Sequence, residues 1–230
     1  MNWLNTLNIR AAPMSYGLIA CFVLVYLVQV GVQFQLSGFN QRIGSETLYT
    51  LGANFTPAFA AGQYWRILTS CFLHLDLLHL GMNSLALHYF GPILERSFGS
   101  KKLLLGFLLT GTLGSLLTSL MHLNEPYLSA GASGGLYGLF GILFITGKRY
   151  RAALPPGFQI WLNQTLGLFV VFSFAPFIDM WGHFGGLGAG LLLGWFYRPL
   201  PVDPAEAAAG MASAELSEQN SEQKPDPPGV

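Results

Sequence analysis

Charge is scarce in this chain. Of 230 residues, 11 are Lys or Arg and 11 are Asp or Glu, 10% in all, against roughly 25% in an ordinary soluble domain. The formal net charge is zero, so no electrostatic case exists for nucleic-acid binding. Cysteine is almost missing as well. Cys21 falls inside the first apolar run and Cys71 near the entrance to the second; the pair forms neither a disulfide framework nor a metal or redox spacing, and both read as packing residues. There is no H-E-x-x-H zinc motif and no pair of aspartates within apolar segments that could form an acid dyad. No internal repeat is evident, so an inverted-repeat transporter gains no support.

What the chain has is apolar length. Hydrophobic residues make up 52% of it, in stretches at 14–34, 75–94, 103–121, 136–146, 160–176 and 184–196. Several approach the roughly 20 residues that span a bilayer, which predicts an all-α polytopic membrane protein with six transmembrane helices. The first run is too long for a signal-peptide core and is followed by further spans, so it reads as an uncleaved helix. Basic residues cluster between segments two and three (Arg96, Lys101, Lys102), between four and five (Lys148, Arg149, Arg151) and after six (Arg198), with Arg10 ahead of the first; only Arg42 and Arg66 fall on the other side. By the positive-inside rule both termini are cytoplasmic. The domain limits expected are a cytoplasmic N-terminus at 1–13, a six-helix domain at 14–198 and a disordered acidic tail at 199–230, rich in Ala, Ser, Gln and Pro. Between segments one and two, "FTPAFAAGQYWRILTSCFLH" is too aromatic for a solvated linker. It predicts short helices or a hairpin in the interface, or an aromatic belt with Tyr64 and Trp65 at headgroup level.

The fourth segment is the anomaly. From Ser133 to Thr146 a helix rises only about 21 Å, short of the roughly 30 Å hydrocarbon core. The preceding "NEPYLSAGA" must therefore descend as irregular backbone, tolerated at depth only where protein buries it or a wet cavity receives it. Ser133 would sit at the floor of that cavity. Gly134, Gly138 and Gly141 share one side of this segment, and Gly182, Gly186, Gly190 and Gly194 recur every fourth residue on the sixth, so the two helices can meet backbone to backbone. Small-residue packing accounts for all of these glycines but not for His183, an ionisable residue on or near the same face and by default a functional one. A hydroxyl beside an imidazole is the pairing of nucleophilic catalysis, although an intramembrane histidine can also be only a satisfied polar partner. On segment two, His79 and Asn83 stand four apart and share a face with Leu87, Gly91 and Glu95. Two hydrogen-bond donors at one depth could stabilise an oxyanion.

At this point the sequence resembles a known family. "GASGGLYG" is similar to the GxSG motif of the rhomboid intramembrane serine proteases, and "HLDLLHLGMN" resembles their HxxxxHxxxN. The likeness extends to Trp65-Arg66, to ExxxG from Glu95 to Gly99, and to HxxGxxxG from His183 to Gly190. It implies a rhomboid fold with a short central fourth helix and an interfacial first outer loop. It further implies Ser133 as nucleophile with Gly131 and Gly134 around it, His183 as general base beside Gly186, and His79, Asn83 and the Ser133 N–H as the oxyanion hole. By the same resemblance Tyr137 packs on the catalytic imidazole, His74 is structural, and Trp65, Arg66 and Glu95 are anchors. Gly182 stands where the family often has Ala. The family works as a Ser-His dyad, so Asp179 is expected to be a solvated loop charge without a triad role; His88 and His122 match no motif position.

The activity so implied is hydrolysis of peptide bonds in or near transmembrane segments of membrane-protein substrates, without metal or organic cofactor. Proton transfer to neutral His183 implies that activity falls toward acid pH. The partners are such substrates and the lipid bilayer, and the two short basic cytoplasmic loops fit a bacterial inner membrane. Two other readings stand beside it: a catalytically silent rhomboid-like protein that binds membrane clients, which would typically have lost the serine or the histidine, and a small transporter or channel with a broken helix.

Overall fold

The structure is a computed structural model and describes residues 12–200 apart from Phe177. Arg10, the N-terminal residues before Ala12 and the acidic tail beyond Leu200 lie outside the described residues.

Helix α1 (Pro13–Ser37) opens with proline, whose missing N–H costs nothing in a first turn, and closes at Gly38 with φ 79°. The loop that follows folds into three short helices, α2 (Ser45–Thr50), α3 (Thr56–Ala60) and α4 (Arg66–Thr69), a two-residue strand β1 (Asn54–Phe55) and a 3₁₀ turn at Ser70–Phe72. Helix α5 (Leu77–Phe98) is capped by Asp76, whose carboxylate accepts from the His79 N–H at 2.8 Å. It ends at Gly99, φ 89°, and α6 (Ser100–Met121) begins on the next residue. Strand β2 (Leu128–Ser129) precedes α7 (Ser133–Arg149), a 3₁₀ turn at Arg151–Ala153, α8 (Pro156–Phe172) and α9 (Met180–Gly194).

Each of the six apolar stretches thus falls on one of the six long helices, with shifted edges. Of the described helices, α1 and α6 are long and apolar enough to cross a membrane by length and composition. Helix α7 runs three residues past Thr146, about 25 Å for its 17 residues. His74 lies ahead of α5, two residues before the Asp76 cap, which leaves helical geometry with φ −163° and ψ 175°. The expected short helices form in the loop between α1 and α5, but β1 finds no partner there. It pairs antiparallel with β2, Asn54 opposite Ser129, so the loop is stitched to the segment that leads into α7.

Helix α7 is the axis of the bundle. Leu136, Leu139, Phe140 and Ile142 are buried around its circumference, against Phe107 of α6, Leu87 of α5 and other core side chains, as expected of a helix apolar all round. Lipid is as apolar as leucine, so contact geometry and hydrogen bonds hold such a bundle together. The glycines supply the geometry. A Cβ at Gly186 would fall on the carbonyl of Gly134, and one at Gly190 on that of Gly138; Gly134 in turn faces the Gly182 carbonyl. Polar clamps supply the hydrogen bonds. The Glu95 carboxylate accepts from Met14 N, Ser15 N, Ser15 Oγ and Ser100 Oγ at 2.6–2.8 Å, tying the starts of α1 and α6 to the end of α5. Gln29 of α1 grips the His74 backbone twice, donating to its carbonyl at 2.9 Å and accepting from its N–H at 3.0 Å.

Candidate active site

Gly131 has φ 152°, a conformation that side-chain-bearing residues rarely adopt, and its N–H donates to the Ser70 carbonyl at 3.0 Å. A Cβ there would also meet His79 Cε1 at 2.8 Å. The glycine therefore lets the chain turn down into α7 with the His79 ring against it. Ser133 is the first residue of α7, where backbone N–H groups have no partner within their own helix.

A cavity of about 560 Å³ opens in front of this turn. It brings together Ser133 and Tyr137 of α7, His79 and Asn83 of α5, and His183 of α9. Its apolar wall comes from Met82 and Ala86 on one side and Leu168, Phe169 and Phe172 of α8 on the other, and its mouth carries Arg42 and Asp76. A second cavity of about 20 Å³, lined by Ser70, Ser115, Ser129, Ser133 and Asp179, shares Ser129, Ser133 and Asp179 with the first and is large enough for one water.

The side chains in the larger cavity are held individually. His183, 4% exposed, stacks on Tyr137 with ring centroids 3.9 Å apart and planes at 23°. Its Nδ1 lies 3.1 Å from Ser173 Oγ. His79 Nδ1 accepts a long bond from the Leu75 N–H at 3.5 Å, which assigns the ring proton to Nε2. Asn83 is 5% exposed and its Nδ2, like the His74 ring nitrogens and Ser84 Oγ, meets no partner among the described residues. A buried donor without an acceptor is rare.

The remaining expected residues stand outside the cavity. His74 is fully buried, its ring 5.4 Å from Phe22 and 5.3 Å from His79; burial, and then the neighbouring His79, push its pKa down to about 3. Arg66 donates to the carbonyls of Tyr49 and Ala53 and to Gln63, with its guanidinium over the rings of Tyr49 and Trp65. Both it and Glu95 hold loop and helix ends. Gly134 and Gly186 bring α7 and α9 together.

Asp179 is not the solvated charge expected from its loop position. Its carboxylate caps α9, accepting from Gly182 N at 2.9 Å, and also accepts from Thr118 Oγ1 of α6 at 2.9 Å. Burial raises its pKa above the ordinary carboxylate value, with the Gly182 and Thr118 bonds opposing the shift. Nothing in "FVVFSFAPF" marks one hydroxyl at the end of an apolar run, so the sequence does not single out Ser173. His88 bonds Tyr16, and His122 stacks on Tyr127 and pairs with Glu125; neither lines the cavity.

Comparison with known proteins bears on this arrangement. A family model described as the Rhomboid domain matches residues 61–200. The chain is 34% identical to Rhomboid protease GluP of Bacillus subtilis, over 79% of this chain and 35% of that protein. It is 33% identical to Rhomboid-like protease 3 of Toxoplasma gondii, over 66% of this chain and 59% of that one. With RHOMBOID-like protein 1 of Arabidopsis thaliana it shares 34% identity over 73% and 44% respectively. The chain thus spans between about a third and three-fifths of the length of these relatives.

Proposed function

The chain belongs to the rhomboid family, an integral membrane family, and from that premise we propose that it is an intramembrane serine endopeptidase acting through a Ser133–His183 dyad. The observation that carries the reading is the single cavity shared by Ser133, His183, His79 and Asn83 at the start of a buried helix. Six helices span the bilayer in this reading, with both termini cytoplasmic in a bacterial inner membrane, and the substrates are membrane proteins whose transmembrane segments present a peptide bond to the cavity.

The chemistry follows from the groups present. His183 takes the Ser133 proton as Oγ attacks the substrate carbonyl carbon. The oxyanion that forms is held by the Ser133 N–H, His79 Nε2–H and Asn83 Nδ2, the last of which meets no acceptor among the described residues. Protonated His183 gives its proton to the leaving amine as the C–N bond breaks. Water, deprotonated by His183, then splits the acyl ester and regenerates Ser133. Stacking on Tyr137 holds the imidazole plane through both transfers.

Labelling of the detergent-solubilised protein with a fluorophosphonate serine probe tests this. Wild type is expected to label, and Ser133→Ala and His183→Ala are not. Equal labelling in all three, or none in folded wild type, would overturn the proposal in favour of a client-binding role.

A further inference from the structure

The dyad reading leaves one question open: what decides which ring nitrogen of His183 carries the proton. A general base needs Nε2 free, and in a neutral imidazole that requires the proton on Nδ1. Among the described residues no carboxylate bonds the ring, since the oxygens of Asp179 accept from Gly182 and Thr118. The group at Nδ1 is Ser173.

The protons around Ser173 can be counted. Its Oγ lies 2.7 Å from the Phe169 carbonyl, 3.1 Å from His183 Nδ1 and 3.2 Å from the Tyr137 hydroxyl. The Tyr137 hydroxyl donates to the same Phe169 carbonyl at 2.9 Å. A carbonyl only accepts, and has two lone pairs. Ser173 has one proton, and its shortest contact, the bond to the carbonyl four residues back that helical serines commonly make, takes it. The Ser173 backbone N–H also reaches the Phe169 carbonyl, at 3.1 Å, but shares itself with the Val170 carbonyl at 3.2 Å. With that N–H on Val170, the two Phe169 lone pairs take the two hydroxyl protons, and His183 Nδ1–H is the donor left for the Ser173 lone pairs. Ser173 is 1% exposed and Tyr137 5%, so bulk water does not compete.

We propose that Ser173 is a positioning residue for His183: it accepts the Nδ1 proton and donates its own to the Phe169 carbonyl, which leaves Nε2 as the basic nitrogen. The chain Nδ1–H to Oγ–H to C=O runs in one direction, so its dipoles reinforce one another and stay aligned when the ring becomes imidazolium. A neutral hydroxyl thereby does the orienting that a carboxylate does in a soluble triad, without a second charge at depth. Phe169 lies in the last turn of α8 and Ser173 is the residue that caps it, so the wall of the cavity and the tautomer of the base are held by one helix end. The assignment rests on the dyad reading for its catalytic meaning, though not for its geometry.

The test is nitrogen NMR of the full-length protein labelled in its histidines, with the His183 signals identified by their loss in His183→Ala, alongside the fluorophosphonate inactivation rate. Wild type is expected to show the His183 proton on Nδ1. Ser173→Ala, which deletes one buried oxygen, is expected to move protonation toward Nε2 and to slow inactivation about tenfold or more, within the roughly 10²–10⁴-fold that acid–base catalysis supplies. A wild-type proton on Nε2 would overturn the proposal, and so would Ser173→Ala with its tautomer unchanged, whether or not its rate falls. If wild type does not label at all, the dyad reading fails while the imidazole spectrum still decides the Ser173 assignment.

Discussion

At the residue scale, Asn83 offers the variant that would separate function from stability. Most buried polar side chains in this protein work for the fold: Glu95, Arg66 and Gln29 each satisfy two or more groups from other elements. Asn83 Nδ2 satisfies none among the described residues. Asn83→Ala therefore removes no donated hydrogen bond from the folded state, and its melting temperature is expected to equal or exceed that of wild type. Turnover is expected to drop about 10²–10³-fold, the usual effect of deleting one oxyanion donor. A variant that loses stability and keeps its rate would assign Asn83 to the fold instead. The expectation that Asn83 and His79 act together was legible in their four-residue spacing. The missing acceptor was not, because a sequence does not say which groups other elements bring near.

At the element scale, the pairing of α7 with α9 depends on glycine backbones in direct contact. On α9, Gly190 has no room for a Cβ against the Gly138 carbonyl, whereas a Cβ at Gly188 meets nothing within 4 Å. Gly190→Ala is expected to lower unfolding stability by about 1–3 kcal/mol as the helices are forced apart, and Gly188→Ala to leave it unchanged or slightly raised through better helix propensity. Thermal unfolding of both variants in detergent checks the pair; equal stabilities would show that α9 is not seated on α7 as described. The fourfold glycine spacing was readable in advance as a packing face. Which other helix ends depend on distant partners was not. Asp179 is the example: by sequence it is a loop acid, and only α6, 61 residues away in Thr118, makes it a bridge as well as a cap.

At the scale of the whole molecule, Asp179 also sets a pH dependence. Its folded pKa is raised above the ordinary value of 3.8, with burial as the largest cause. The folded state therefore holds this proton more tightly than the unfolded chain does. The resulting stabilisation is fully present below about pH 3.8 and is lost as pH rises through the raised value. Asp179→Asn keeps an oxygen for the Gly182 N–H and carries no charge. The stability of Asp179→Asn relative to wild type is thus expected to grow as pH rises from about 4 toward neutrality, measured as denaturation midpoints across that range. A difference that shrinks with rising pH would mean that the carboxylate is stabilised, not strained, by its surroundings.

Composition and local spacing were enough to determine an all-α membrane protein and its helical stretches, and to single out Ser133, His183, His79 and Asn83 as candidates for chemistry. Apolar length, the i, i+4 rule and the steric freedom of glycine act over a few residues and can be read along one strand of text. The tertiary structure decided what depends on chain segments far apart: the pairing of β1 with β2 across more than seventy residues, the clamp of Gln29 on His74, the placing of His183 on Tyr137 and Ser173, and the burial of Asp179. Hydrogen bonds at depth must find partners somewhere in the protein because lipid offers none, and where those partners lie is a property of the assembled bundle.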